Sequence, residues 1–187
     1  NSWSTPDSYF NWLLMHEVSH ALVPRTVVVD GNEVTVRQAL GHYYQPIEEG
    51  KADITGLYNI RYLREHGIDN EALEAHYAGF LSEALRSIRF GPASAYGVIR
   101  SAAWNYFVEQ GALTLDANSG KFSVDVDKMS NAVESLMVKL ITIEGEADTV
   151  AAQEFLDKYS YVSPELQVLL DVANQTVPVE FVPMYGD

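Results

Sequence analysis

Apolar residues at Phe10, Leu13, Leu14 and Ala21 recur at helical spacing. Thr5-Pro6-Asp7 ahead of them supplies a capping hydroxyl, a proline for the first turn and an acid near the positive helix end. The pattern predicts a helix that ends before Pro24. Val27-Val28-Val29 and Val34-Thr35-Val36 then flank Asp30-Gly31, a turn pair that specifies a β-hairpin. Pro46 opens a second helix through Ile54, Leu57, Tyr58 and Leu63, stopped at His66-Gly67. A third is expected over 70–90, up to the Gly91-Pro92 break, and a fourth over 93–110, closed by Gly111. Leu113 to Val124 predicts a second hairpin with Asn118-Ser119-Gly120 near its turn. Two or three helices fill 127–174, with Pro164 near the start of the last, and the tail from Val177, with Pro178 and Pro183, is expected to be extended. No repeat or linker interrupts the pattern. The fold class is therefore mainly α, a multi-helix lobe with two small β-hairpins, in one domain over 1–187.

Composition narrows the partners. The net charge of −14 and the lack of any Lys/Arg-rich stripe exclude nucleic acid and an anionic membrane surface. No apolar run reaches the length of a bilayer, so no membrane insertion is expected within this segment. The absence of cysteine excludes disulfides, thiolate zinc sites and cysteine nucleophiles. The chain starts at Asn1 rather than Met, and it is expected to be a piece of a longer protein. Any targeting segment would lie upstream, which leaves the compartment open.

The chemistry sits in two short stretches. His16-Glu17-Val18-Ser19-His20 matches H-E-x-x-H on the first helix. Histidines four apart share one helix face, so both imidazoles can reach one ion, and Glu17 between them can take a proton from metal-bound water. Beyond the hairpin, Glu48-Glu49-Gly50-Lys51-Ala52-Asp53 begins the second helix. A zinc peptidase with two histidine ligands takes its carboxylate ligand from a separate helix. Glu49 and Asp53 are four apart on one face. Glu49 can therefore bind the metal while Asp53 receives the other N–H of a ligand histidine, with Glu48 a further candidate for that supporting role. The bland alternative, two acids that merely favour a helix start, leaves the upstream histidine pair unexplained. Zinc is favoured over iron on this pattern, one ion per chain.

These residues resemble the dipeptidyl peptidase III family of zinc peptidases, most closely its bacterial branch. The similarity extends through Asp53-Ile54-Thr55-Gly56-Leu57-Tyr58-Asn59, Ser87-Ile88-Arg89-Phe90-Gly91 and Gly120-Lys121-Phe122-Ser123-Val124-Asp125, nearly the whole chain. The resemblance implies a helical, zinc-binding catalytic lobe at the C-terminal end of a two-lobe protein. It also implies a peptide substrate held across a cleft and release of dipeptides from the amino end. It makes His16, His20 and Glu49 the ligands, Glu17 the base, and Glu48 and Asp53 the residues that orient the histidines. Three departures stand out. The eukaryotic branch has one more residue inside its histidine motif. A histidine that assists the reaction there aligns with Tyr96, with Arg100 four residues later, as an arginine stands in the family. The amino-terminal lobe that grips the peptide is missing from this chain.

Tyr96 can donate its phenol to a developing oxyanion, or be an ordinary interfacial tyrosine. Arg100 can bind a peptide carboxylate or carbonyl, or make a structural ion pair; Arg89 reads as structural. His42, His66 and His76 lack a motif partner and read as surface or structural residues. Glu144, Glu146 and Asp148 around Gly145 read as a solvated helix junction. The expected activity is a zinc metallopeptidase of the gluzincin type. A peptidase or amidase with another substrate, a silent zinc-binding domain, and a chance motif without metal are its alternatives.

Overall fold

The computed structural model describes residues 4–91, 94–116 and 118–176. Helix α1 (Pro6–Ser19) opens on a reciprocal cap, in which Thr5 accepts from the Ser8 amide while the Ser8 hydroxyl accepts from the Thr5 amide. Strands β1 (Thr26–Val29) and β2 (Asn32–Thr35) form the first hairpin, with Val29 opposite Asn32. Asp30 and Gly31 take φ of 50° and 79°, the left-handed pair that a two-residue turn needs. A short helix α2 (Val36–Leu40) and a 3₁₀ turn over Gly41–Tyr43 follow, neither of which the sequence pattern predicts. The remaining helices are α3 (Tyr44–Glu65), α4 (Leu73–Ile88), α5 (Ala95–Glu109), α6 (Val126–Glu146), α7 (Thr149–Tyr159) and α8 (Pro164–Thr176). Strands β3 (Leu113–Asp116) and β4 (Lys121–Val124) make the second hairpin.

The mainly α fold with two small hairpins stands as expected, with shifted boundaries. Pro46 lies within the first turn of α3 rather than at its start, and α4 begins at Leu73 rather than near Asn70. Helix α5 is capped by Ser94, whose hydroxyl accepts from the Gly97 amide at 2.9 Å. The expected extended tail over 177–187, like Pro92 and Ala93, lies outside the described residues.

Helix α3 is the axis of the molecule, packed by α1, α4, α5 and α6. Ile47, Ile54, Leu57 and Ile60 are fully buried along it, but so are Lys51 and Asp53. A helix buried all round with charges in it must pair those charges internally. Two glycines let its neighbours come close. A Cβ on Gly50 would meet Ile99 of α5 at 2.2 Å, and one on Gly56 would meet the His16 backbone nitrogen of α1 at 2.9 Å.

Helix α1 reverses the burial that its apolar spacing implies. Phe10, Leu13 and Leu14 are exposed, whereas Ser8, Trp12, His16 and Ser19 face inward. The apolar row marks the helix correctly and its buried side wrongly. The inward side carries Trp12 among polar groups, and α3 answers three of its residues: the Asp53 carbonyl accepts from Trp12 Nε1, the Asp53 carboxylate meets His16, and Asn59 donates to the Ser19 hydroxyl.

Candidate metal centre

The centre forms where the C-terminal end of α1 crosses the first half of α3. His16 lies in the last turn of α1 and His20 is its C-cap residue, still right-handed at φ −59° and ψ −25°. Their spacing turns both imidazoles toward α3, where Glu48, Glu49 and Asp53 span just over one turn. Nε2 of His16 lies 3.0 Å from Nε2 of His20, and Oε2 of Glu49 lies 3.6 and 4.0 Å from the two.

Each histidine is held from behind by its own acid. Nδ1 of His16 meets Oδ1 of Asp53 at 2.8 Å, and Nδ1 of His20 meets Oε1 of Glu48 at 2.5 Å. With the proton on Nδ1, both Nε2 lone pairs are left to converge. Each acid in turn has a cation. Arg100 of α5 donates from Nε to Oδ2 of Asp53 at 2.9 Å and from Nη2 to Oδ1 at 3.3 Å. Lys51 donates to Oε1 of Glu48 at 3.4 Å.

The electrostatics follow from these pairs. Burial pushes the Asp53 carboxyl up, but Arg100 and His16 outweigh it and hold the group below the usual carboxylate range. Burial likewise lowers His16, yet the hydrogen bond and charge of Asp53, with Glu49 and Glu17, leave its imidazole above its ordinary value. A pocket that favours a proton on an imidazole favours a metal cation in its place.

The donor set fits a metal ion. Oε2 of Glu49 is buried and makes no hydrogen bond among the described residues. An orphaned carboxylate oxygen beside two facing ring nitrogens is costly without a cation to share. His16, Glu17 and His20 form one group able to hold a metal, and His20, Glu48 and Glu49 another. Two imidazoles and a carboxylate suit zinc better than a hard cation that prefers oxygen ligands throughout.

Glu17 is on the exposed side of α1 beside Leu13. It borders a hollow of about 210 Å³ with His16, Trp12, Tyr9, Tyr96 and Arg100. The Tyr96 phenol is raised strongly by burial and by its hydrogen bond to Glu49, and its ring lies 4.7 Å from the Arg100 guanidinium carbon. Arg100 itself is bound to Asp53, Glu83 and Ser87, the last at 2.6 Å. That geometry is the ion pair, with the guanidinium turned to Asp53.

Among the other residues, His76 is buried between the Ser8 carbonyl and Asp69, His66 contacts the Tyr62 carbonyl, and Arg89 donates to Asn174. Glu144 corrects the sequence reading of a solvated junction: it is 1% exposed, and its Oε2 lies 3.8 Å from Lys51 Nζ without a hydrogen bond. Lys51 is the residue that sequence reasoning missed. The only signal for it is its place in the Glu48–Asp53 stretch, one turn after Glu48.

Fold and site together define a mainly helical domain with a histidine–carboxylate centre made by two crossing helices. Dipeptidyl peptidase III structures match it throughout: that from Corallococcus sp. strain EGB over 97% of this chain at 39% identity and a TM-score of 0.89, and that from Caldithrix abyssi over 92% at 32% identity and 0.87. The chain is thus a dipeptidyl peptidase III-like segment, and it spans about a third of the length of those structures, 34% and 33%. It is also 36% identical over 182 residues to Nudix hydrolase 3 of Arabidopsis thaliana, covering 23% of that protein. All three relationships are to hydrolases. No protein-family model matches the chain. No helix among the described residues is long and apolar enough to cross a membrane.

Proposed function

We propose that this chain is the zinc-binding catalytic lobe of a metallopeptidase, with 1–187 as one domain and a further, amino-terminal lobe completing the peptide cleft. His16, His20 and Glu49 hold the ion. The observation that carries this is the convergence of two ring nitrogens 3.0 Å apart on a buried carboxylate oxygen without a hydrogen-bond partner among the described residues.

Zinc bound there supplies an acidified water and polarises the peptide carbonyl. The chain's own residues do the rest. Glu17, on the open side of the pair, takes the proton of the attacking water and passes it to the leaving amine. Tyr96 donates its phenol to the oxygen on which negative charge develops. Asp53 and Glu48 fix the histidine tautomers, and Arg100 keeps Asp53 charged and in line. The relationship to dipeptidyl peptidase III supports a short peptide as substrate; selection of the amino end belongs to the lobe outside this chain.

Glu17→Gln tests the reading. The variant is expected to bind zinc as the parent does and to lose at least ~100-fold in peptide turnover, the scale of a positioned general base. Wild-type turnover in that variant, or a parent chain that takes up no zinc, would overturn it.

A further inference from the structure

Lys51 and Glu144 are buried titratable groups to which the proposed reaction gives no part. Lys51 is 0% exposed. Its Nζ donates to the Ser19 carbonyl at 2.9 Å and to Oε1 of Glu48 at 3.4 Å, and stands 3.8 Å from Oε2 of Glu144 on α6. One ammonium therefore joins three helices. Burying it costs several kcal/mol unless each proton finds an oxygen, so an apolar side chain would be the easier filler here.

Its two donor bonds both act on His20. Ser19 O belongs to the peptide group that leads directly into His20 at the end of α1, where it also accepts from the Leu22 amide at 3.3 Å. A cation at that end is also favoured by the helix dipole. Glu48 Oε1 is the same atom that meets Nδ1 of His20. His20 needs such restraint more than His16 does. Its side chain is 30% exposed against 4%, and it sits beyond the last helical residue of α1.

We propose that Lys51 is the positioning residue for His20: it clamps the end of α1 and the Glu48 carboxylate together, so that Nε2 of His20 faces Nε2 of His16, with the Glu144 carboxyl beside its ammonium. Lys51 then does for His20 what Arg100 does for His16 through Asp53. The two histidines have separate relays, Lys51–Glu48 and Arg100–Asp53, whose cations come from different helices. This inference rests on the metal-centre reading above.

Zinc affinity by chelator competition and the visible spectrum of the cobalt-substituted chain test it, alongside thermal unfolding of the metal-free protein. Lys51→Met is expected to weaken zinc binding by ~10–100-fold, the usual effect of losing a ligand's supporting partner, and to shift the cobalt spectrum. Lys51→Arg, which keeps the charge, should recover most of the affinity. Should Lys51→Met fail to fold, the pair Lys51→Met with Glu144→Gln removes both buried titratable groups, and the same loss is expected of it. A folded Lys51→Met chain, alone or with Glu144→Gln, that keeps parental affinity and an unchanged cobalt spectrum overturns this inference alone. A parent chain that binds neither metal overturns the centre and this inference together.

Discussion

Asp53 meets His16 through Oδ1 at 2.8 Å and Arg100 through Oδ2 at 2.9 Å, so one buried carboxylate orients the imidazole proposed as a metal ligand and anchors a guanidinium. Asp53→Asn keeps the shape and removes the charge. It leaves Arg100 with Glu83 and Ser87 but without its closest ion-pair partner, a loss of about 3 kcal/mol, the low end for a broken buried pair. We expect that loss in denaturant unfolding, with zinc affinity down by ~10–100-fold in chelator competition. A stable Asp53→Asn chain with parental zinc affinity would show that the pair neither supports the fold nor orients the ligand.

Gly56 offers a test that changes no side chain of the proposed centre. Alanine there should favour the helix by roughly 1 kcal/mol. Its Cβ, however, would lie 2.9 Å from the His16 nitrogen and 3.3 Å from His16 Cα, which are backbone atoms with no rotamer to change. Overpacking of this kind costs about 1–3 kcal/mol, so the clash wins. Gly56→Ala is expected to lower the unfolding temperature and to weaken zinc binding, because α1 must lift from α3. An unchanged or higher unfolding temperature would show that the helices have room.

Tyr96→Phe separates two roles for one hydroxyl. As donor to the developing oxyanion, its loss should lower kcat on the order of 100-fold and leave zinc affinity near parental. As a mere support for Glu49, its loss should weaken zinc and leave kcat at saturating metal intact. Measuring both quantities on one preparation decides between them.

Glu144 gives the metal-free chain a pH signature. Burial pushes its carboxyl from an ordinary 4.5 up to about 7, with Lys51 opposing. Between those values the folded chain keeps a proton that the unfolded chain releases. Stability contributed by the neutral form is therefore present below about pH 4.5 and is lost as pH rises toward 7. Glu144→Gln should flatten this decline in urea unfolding near pH 5, 6 and 7. Parallel slopes in the two proteins would exclude Glu144 as its source.

Much of this was legible in one sequence. Asp30-Gly31 specified the first turn, and Thr5-Pro6 the start of α1. The five-residue histidine motif and the Glu48–Asp53 stretch announced groups that the fold then brings together. What stayed hidden depends on neighbours remote in the chain. Phe10, Leu13 and Leu14 are an apolar stripe, and nothing local says that α1 turns its histidine side inward instead. That choice is made by Asp53, Glu48 and Lys51 on α3, which satisfy His16, His20 and the Ser19 carbonyl. Glu144 looked solvated because its neighbours Glu146 and Asp148 are polar, whereas its own position on α6 faces Lys51. Arg100 pairs with Asp53, 47 positions earlier, which no local pattern announces.

The reversed burial of α1 also governs how the chain behaves in a test tube. Phe10, Leu13, Leu14 and Val18 are exposed along the helix that carries both histidines, with Glu17 among them. An apolar row of this kind promotes self-association at high concentration. Copies that meet along it would cover the edge by which an ion enters. Slow metal uptake in a concentrated sample would then report blocked access and not poor affinity, and dilution would restore it.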